Sequence, residues 1–351
     1  MKKLHIFFIV FLFAYISCTS TSEEDFVWQD EFEQFLLDCP IGTELSIACI
    51  EGGAVHFEGL IKRGDKIEKI DNKVHLFEIG SIHKIFTAFL ALNAVNQGYI
   101  QLRESILTQS NISIQRLLTH SSGLERSVFD YKEGLQFNDV KTISFDESFI
   151  EKMDFILANR SSVDSFSYSN IGYQILGVKL SQIYNKPFYT LQDSLIFHPY
   201  KMKNTCSARK VCNKNIPLII GRNHKGTPIP KHNSDYLFAA GSMLSTSEDL
   251  SNFLLQIMNN DPIFPLQQRG LKMHNKTEGT ALGWLIKRET NSELDNIYWH
   301  NGWTVGYSAC LAFNPNKKTG AIVLSNLSSI NPLSATIQDL AIEIAQYRPL
   351  E

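Results

Sequence analysis

Ser81 and Lys84 stand three residues apart in the run FEIGSIHKIFTAFL, residues 77–90. On a helix, positions i and i+3 share a face, so the Ser81 hydroxyl and the Lys84 amine can meet. Ser81 falls in the first helical turn, where unpaired N–H groups and the helix dipole favour negative charge. Ile82, Ile85, Phe86 and Phe89 surround the lysine. Such a setting disfavours the ammonium form, and a neutral amine can take the proton of a serine hydroxyl. The chemistry this pair suits is nucleophilic acyl transfer. The plainer alternative is a lysine whose stem lines the core while its amine reaches water. The spacing alone does not decide between them, because Ser207 and Lys210 repeat it in a polar segment with no apolar helix behind it.

Two further short patterns carry suitable groups. Tyr168-Ser169-Asn170 precedes the apolar helix that begins at Ile171. Asn170 there reads first as a helix N-cap, while Tyr168 offers a phenol for proton transfer and Asn170 an amide able to hold both a lysine and a carbonyl. His300-Asn301-Gly302 lies on a strand-like run, with glycine where a backbone or ligand must come close. His224-Lys225-Gly226 has the same H-x-G form, but between glycine and prolines it reads as a turn. Lys318-Thr319-Gly320 sits between two apolar strands and reads as a hairpin turn.

In this order the three patterns resemble the signature set of the serine β-lactamases and penicillin-binding proteins, S-x-x-K, Tyr/Ser-x-Asn and Lys/His-x-Gly. The match is closest to the class C β-lactamase-like branch, in which Y-x-N is the second motif. The blocks ISIQRLLTHSSGL, FHPYKMKNT, AAGSMLSTSEDLSNFL and WHNGWTVGYSACLAFNP also look like that branch, and the resemblance covers roughly residues 40–345. It implies that Ser81 is acylated, that Lys84 is its base and that Tyr168 relays a proton to the leaving group. It further implies that Asn170 anchors substrate and lysine, and that His300, Gly302 and Trp303 line the substrate cleft. The oxyanion hole would be the backbone N–H groups of Ser81 and Trp303. One departure bears on substrate choice. Where many β-lactamases have lysine in the third motif this chain has His300, which is charged in only a fraction of molecules near neutral pH, so a β-lactam carboxylate should be held less well.

The elements that must position these groups follow from the pattern of the whole chain. Its 351 residues suffice for a large core, and 44% hydrophobic and 20% charged residues are ordinary for a globular protein. After an acidic helical segment at Glu23 to Asp38, short β-rich runs flank the turn Glu51-Gly52-Gly53, a hairpin signal. Ser81 to Gln97 is a helix apolar on nearly all sides and ended by Gly98. From Ile112 to about Asn260 the pattern is chiefly helical, including a helix opened by a capping box from Ser245 to Glu248. Strands return around His300 and turn at Asn314 to Gly320, and TIQDLAIEIAQY closes the chain as an amphipathic helix. The expected fold is α+β: an antiparallel β-sheet flanked by helices with an inserted helical subdomain. The expected division is a signal peptide over 1–17, a tether and helix over 18–38, and a hydrolase domain over 39–345. Within that domain, 39–100 and 280–351 hold the sheet and 101–279 is mainly helical.

The first residues, MKKLHIFFIVFLFAYISC, have the basic start and short apolar run of a secretory leader, shorter than the ~20 residues needed to span a bilayer. Cys18, followed by polar TSTSEED, resembles a bacterial lipid-attachment site, with Tyr15 in place of the usual leucine. The expectation is an exported protein, periplasmic or on the cell surface, cleaved and lipid-anchored at Cys18 or simply cleaved. Of the remaining cysteines, Cys206 with Cys212 or Cys39 with Cys49 are candidate disulfides in an exported protein, and Cys310 reads as a core residue. The histidines and cysteines show no metal-ligand spacing and no cofactor is expected, while a net charge of −3 gives no case for nucleic acid. The functional expectation is a serine hydrolase acting on an amide, peptide or ester, small or of peptidoglycan type, closer to an esterase or D-amino-acid peptidase than to an efficient β-lactamase. A noncatalytic or slowly deacylating sensor is the alternative on the same fold. An α/β-hydrolase is disfavoured by the absence of G-x-S-x-G.

Overall fold

The structure, a computed structural model, describes residues 27–105, 112–127, 151, 165–208, 212–230, 237–259, 261–290 and 292–347. The leader, Cys18 and Lys210 lie outside the described residues.

The chain begins with α1 (Gln29–Asp38), β1 (Glu44–Glu51), β2 (Ala54–Arg63), β3 (Lys66–Lys69) and the short β4 (Phe77–Glu78). A 3₁₀ turn at Gly80–Ile82 leads into α2 (His83–Asn96), followed by α3 (Ile114–Leu118), α4 (Asn170–Tyr184) and α5 (Phe188–Gln192). Next come β5 (Cys206–Ser207), β6 (Met243–Ser245), α6 (Ser247–Met258) and α7 (Phe264–Gln268). The last part holds β7 (Lys272–Met273), β8 (Glu278–Ala281), β9 (Trp284–Lys287), β10 (Ile297–Trp303), β11 (Ser308–Asn314), β12 (Thr319–Ser325) and α8 (Ser334–Gln346).

Nine strands form one antiparallel sheet in the order β3-β2-β1-β12-β11-β10-β9-β8-β7, so the two ends of the chain meet at β1 and β12. Side chains alternate across it. Leu45, Ile47, Cys310, Ala312, Ala321 and Val323 pack under α1 and α8, against Phe32, Leu36, Ile337 and Ala341. Ala48, Ile50, Leu311, Phe313, Ile322 and Leu324 face the opposite layer, built on α2, α4 and α6. Because both faces are covered, β11 and β12 are buried at every position and their sequences read as apolar runs rather than as an alternating pattern. The predicted α+β architecture is the one observed.

Local signals placed most of these elements. The two-residue turn Gly52-Gly53 has φ of +57° and +94°, a conformation glycine adopts without steric cost, and it joins β1 to β2 as a tight hairpin. Helix α2 ends ahead of Gly98, at φ +78°. Cys206 and Cys212 form a disulfide, whereas Cys39, Cys49 and Cys310 are free. The His224 copy of H-x-G lies in a turn closed by Gly226 at φ +82°, and Lys318 lies in the β11–β12 connection at φ +55°. Trp284 and Tyr307 are buried core residues.

Three readings shift. The cap of α6 is Thr246, whose side chain accepts the Asp249 N–H; Ser245 instead belongs to β6, with its hydroxyl bonded to Thr205. The C-terminal part of the sheet starts at Lys272, ahead of the expected 280, because β7 is two residues long and has no period to read. A second sheet, β4-β6-β5, likewise consists of strands too short to show a pattern.

Candidate active site

Helix α2 is buried along nearly its whole length, which fixes Lys84 in the interior with no exposed surface. Its Nζ lies 3.1 Å from Ser81 Oγ, 2.7 Å from Asn170 Oδ1 and 2.8 Å from the Ala240 carbonyl oxygen. The amine therefore does not reach bulk water, and the reading in which it extends out to solvent fails. Burial, assisted by the nearby Arg126 cation, holds Lys84 well below the ordinary lysine value.

Each partner is itself held. Asn170 is the first residue of α4, and the cap role expected of it falls to Ser169, whose hydroxyl accepts the Gly172 N–H at 3.1 Å. That leaves the Asn170 amide to the lysine. The Ala240 carbonyl lies in a turn pinned by Thr87 of α2, which donates to the Ala239 carbonyl at 2.6 Å, and by Gln174 of α4, which accepts the Ala239 N–H at 2.8 Å.

Tyr168 approaches from the other side, and the nearby Ser81 side chain opposes part of the rise that burial causes in its pKa. Lys84 Nζ sits 4.9 Å from the ring centroid, and burial raises the phenol to about 12, so it is protonated at neutral pH. The ring stacks on His120 at 4.2 Å with an interplanar angle of 27°, and the Arg126 guanidinium lies over it at 5.2 Å. His120 Nδ1 accepts the Ser169 N–H at 3.1 Å, which fixes the Nε2–H tautomer of the neutral ring and ties the Tyr168 segment to the loop after α3. Neither His120 nor Arg126 was singled out from the sequence. His120 falls within the block ISIQRLLTHSSGL and Arg126 lies two residues beyond it, and the left-handed conformation of His120, φ +54°, is not one that histidine's type announces.

The third pattern arrives on β10, which runs beside the 3₁₀ turn. A side chain on Gly302 would place its Cβ 1.9 Å from the Ile79 carbonyl oxygen, and one on Gly80 would stand 2.7 Å from the Trp303 nitrogen. Glycine at both positions lets the two backbones touch, which sets the Trp303 amide beside Gly80, the residue that precedes Ser81. The Trp303 side chain is exposed. Gly302→Ala should push β10 away and cost about 1–3 kcal/mol of stability. A thermal melt checks this, and an unchanged midpoint would contradict the close approach.

His300 differs from expectation. It is buried at 2% exposure, and burial together with nearby Lys84 lowers its pKa to about 3, so near neutral pH it carries no charge rather than a fractional one. Its Nδ1 donates to the Asn301 carbonyl at 2.7 Å, leaving Nε2 as an acceptor. Among the described residues no cluster of histidine, cysteine and carboxylate side chains suits a metal ion, and no helix is long and apolar enough to cross a membrane.

Comparison with known proteins agrees with this arrangement. The family model described as Beta-lactamase matches residues 44–346. Protein flp of Staphylococcus aureus (strain N315) is 24% identical over 316 residues, covering 81% of this chain and 59% of the relative, so the chain spans less than two thirds of that protein's length. The beta-lactamase/D-alanine carboxypeptidase of Pseudomonas syringae has a TM-score of 0.70 at 18% identity, over 91% of this chain and 98% of that one. The D-amino acid amidase of Ochrobactrum anthropi SV3 has a TM-score of 0.69 at 19% identity, over 91% and 97%. At such identities the structural likeness is one of fold.

Proposed function

The chain belongs to the beta-lactamase family, and from that membership we propose that it is an exported serine hydrolase that acylates Ser81 and releases the acid by water. The observation that carries the proposal is the hydrogen bonding of Lys84. A neutral amine has two N–H groups and one lone pair. With Asn170 Oδ1 and the Ala240 carbonyl taking the two N–H groups, the lone pair is left for the Ser81 hydroxyl proton.

In the proposed cycle Ser81 Oγ attacks the substrate carbonyl while its proton passes to Lys84. The Ser81 and Trp303 amides stabilise the oxyanion, a contribution of roughly 10²–10³ in turnover per donor. Tyr168, protonated at neutral pH and close to Lys84, gives its proton to the leaving atom and is replenished from Lys84. Asn170 keeps the lysine in place and offers its amide N–H groups to the substrate. Water then cleaves the acyl-enzyme by the reverse proton path.

For the substrate we favour an ester, amide or D-amino-acid peptide over a β-lactam. A neutral His300 with a bare Nε2 offers a β-lactam carboxylate neither charge nor donor. The D-amino acid amidase among the similar folds leans the same way. The leader sequence and the Cys206–Cys212 disulfide support an oxidising, extracytoplasmic location, with a lipid anchor at Cys18. Purified protein assayed side by side on p-nitrophenyl esters, D-phenylalaninamide, D-alanyl-D-alanine peptides and nitrocefin tests the choice. Turnover of nitrocefin far above every other substrate would refute it.

The protonation states give a pH profile. Lys84 is depressed, so the amine is neutral above its lowered pKa and acylation fails as pH falls through that value. Tyr168 loses its proton only near its raised value of about 12. The rate of Ser81 phosphonylation by a fluorophosphonate should therefore show one acid limb and reach its plateau well before the ordinary lysine value of about 10.4. A tenfold rise per pH unit that continues up to about pH 10 would mean that Lys84 titrates as an ordinary lysine.

A further inference from the structure

Four basic side chains surround the Tyr168 ring: Lys84, His120, His300 and Arg126. Three of them have little to offer an anion. Lys84 is enclosed and bonded to Ser81, Asn170 and Ala240. His120 is buried beneath the ring with Nδ1 engaged by Ser169, and His300 is buried with Nδ1 engaged by Asn301. Arg126 is different. Its side chain is exposed, and a guanidinium stays charged at any pH the protein meets. Among the described residues no carboxylate lies within ion-pair distance of it.

The seat of the guanidinium matters as much as its charge. Lying over the Tyr168 ring at 5.2 Å, it is held by a cation–π contact, and among the described residues none accepts a hydrogen bond from its N–H groups, the groups that form paired bonds to carboxylates. The ring beneath lies 4.9 Å from Lys84 Nζ, which is itself 3.1 Å from Ser81 Oγ, so an anion on Arg126 lies close to the reacting atoms.

We propose that Arg126 sets specificity at this site by receiving a carboxylate of the substrate, so that preferred substrates are acyl compounds bearing a free carboxylate, bound through the Tyr168 side of the cleft instead of through His300. This rests on the acyl-transfer reading given above. Arg126 is a specificity-determining residue, and the bonds made and broken are those already described.

The test uses the full protein and two matched pairs of probes. p-Nitrophenyl hemisuccinate against p-nitrophenyl butyrate places the carboxylate in the acyl group. Phenylacetylglycyl thioglycolate against its thioglycolamide places it in the leaving group. The parent should prefer the carboxylate member of at least one pair in kcat/KM. In Arg126→Gln that preference ratio should fall by about 10- to 100-fold, the worth of a charge-assisted paired contact. Arg126→Lys should recover part of it, and Arg126→Glu should invert it. A ratio that is absent in the parent, or unchanged in Arg126→Gln, overturns the proposal. Fluorophosphonate labelling of Ser81 in the same samples separates the two layers: an unlabelled parent sinks acyl transfer itself, whereas labelled protein with an unmoved ratio sinks only the role of Arg126.

Discussion

Ser81→Ala will lower turnover of any ester or amide substrate by roughly 10⁴–10⁶-fold and abolish covalent labelling by a fluorophosphonate. The side chain lies in the turn that opens α2, with Lys84 Nζ at 3.1 Å, so its removal takes away the proposed attacking atom while leaving the buried helix behind it intact. The fold should be little affected. Circular dichroism and a thermal melt of the variant should match the parent, and undiminished labelling would transfer the nucleophile's role to another residue.

Lys84→Arg should reduce acylation by about 10²–10⁴-fold, the range ascribed to a positioned general base. Arginine keeps a positive charge but cannot release its proton near neutral pH. The substitution also places a larger, permanently charged group where the native side chain has no exposed surface, so stability should fall as well. Lys84→Met separates the two effects, because it has similar bulk and no charge: it should melt closer to the parent and remain as inactive as the arginine variant. If either variant acylates within threefold of the parent, Lys84 is not the base.

The meeting of Ser81 and Lys84 was legible because helical spacing puts residues three apart on one face, and because apolar neighbours signal a buried amine. The sheet was legible where hairpin turns punctuate it, as at Gly52-Gly53. What escaped the sequence depends on the fold. Ser169 and Asn170 are both good caps, and only the backbone shows that Ser169 takes the cap and leaves Asn170 to the lysine. Thr246 displaced Ser245 in the same way, since β6 claims the serine for its ladder. The charge of His300 follows from its burial, which the type of residue does not announce. His120 and Arg126 reach Tyr168 across more than forty residues of chain, and nothing in their own segment points there.

Burying Lys84 as a neutral amine also bears on stability. In the folded state its pKa is lowered, so the folded protein binds this proton less readily than the unfolded chain, and the burial is more costly at lower pH, where the unfolded lysine is charged and well solvated. Three hydrogen bonds to the amine offset part of that cost.

The most direct test of the central claim is to trap the intermediate. A turnover mixture of the parent protein with phenylacetylglycyl thioglycolate, quenched in acid within seconds and digested for peptide mass mapping, should show the phenylacetylglycyl group on the peptide that carries Ser81. Acylation of a different residue, or product formation with no acyl group on Ser81 at any time point, would contradict the account.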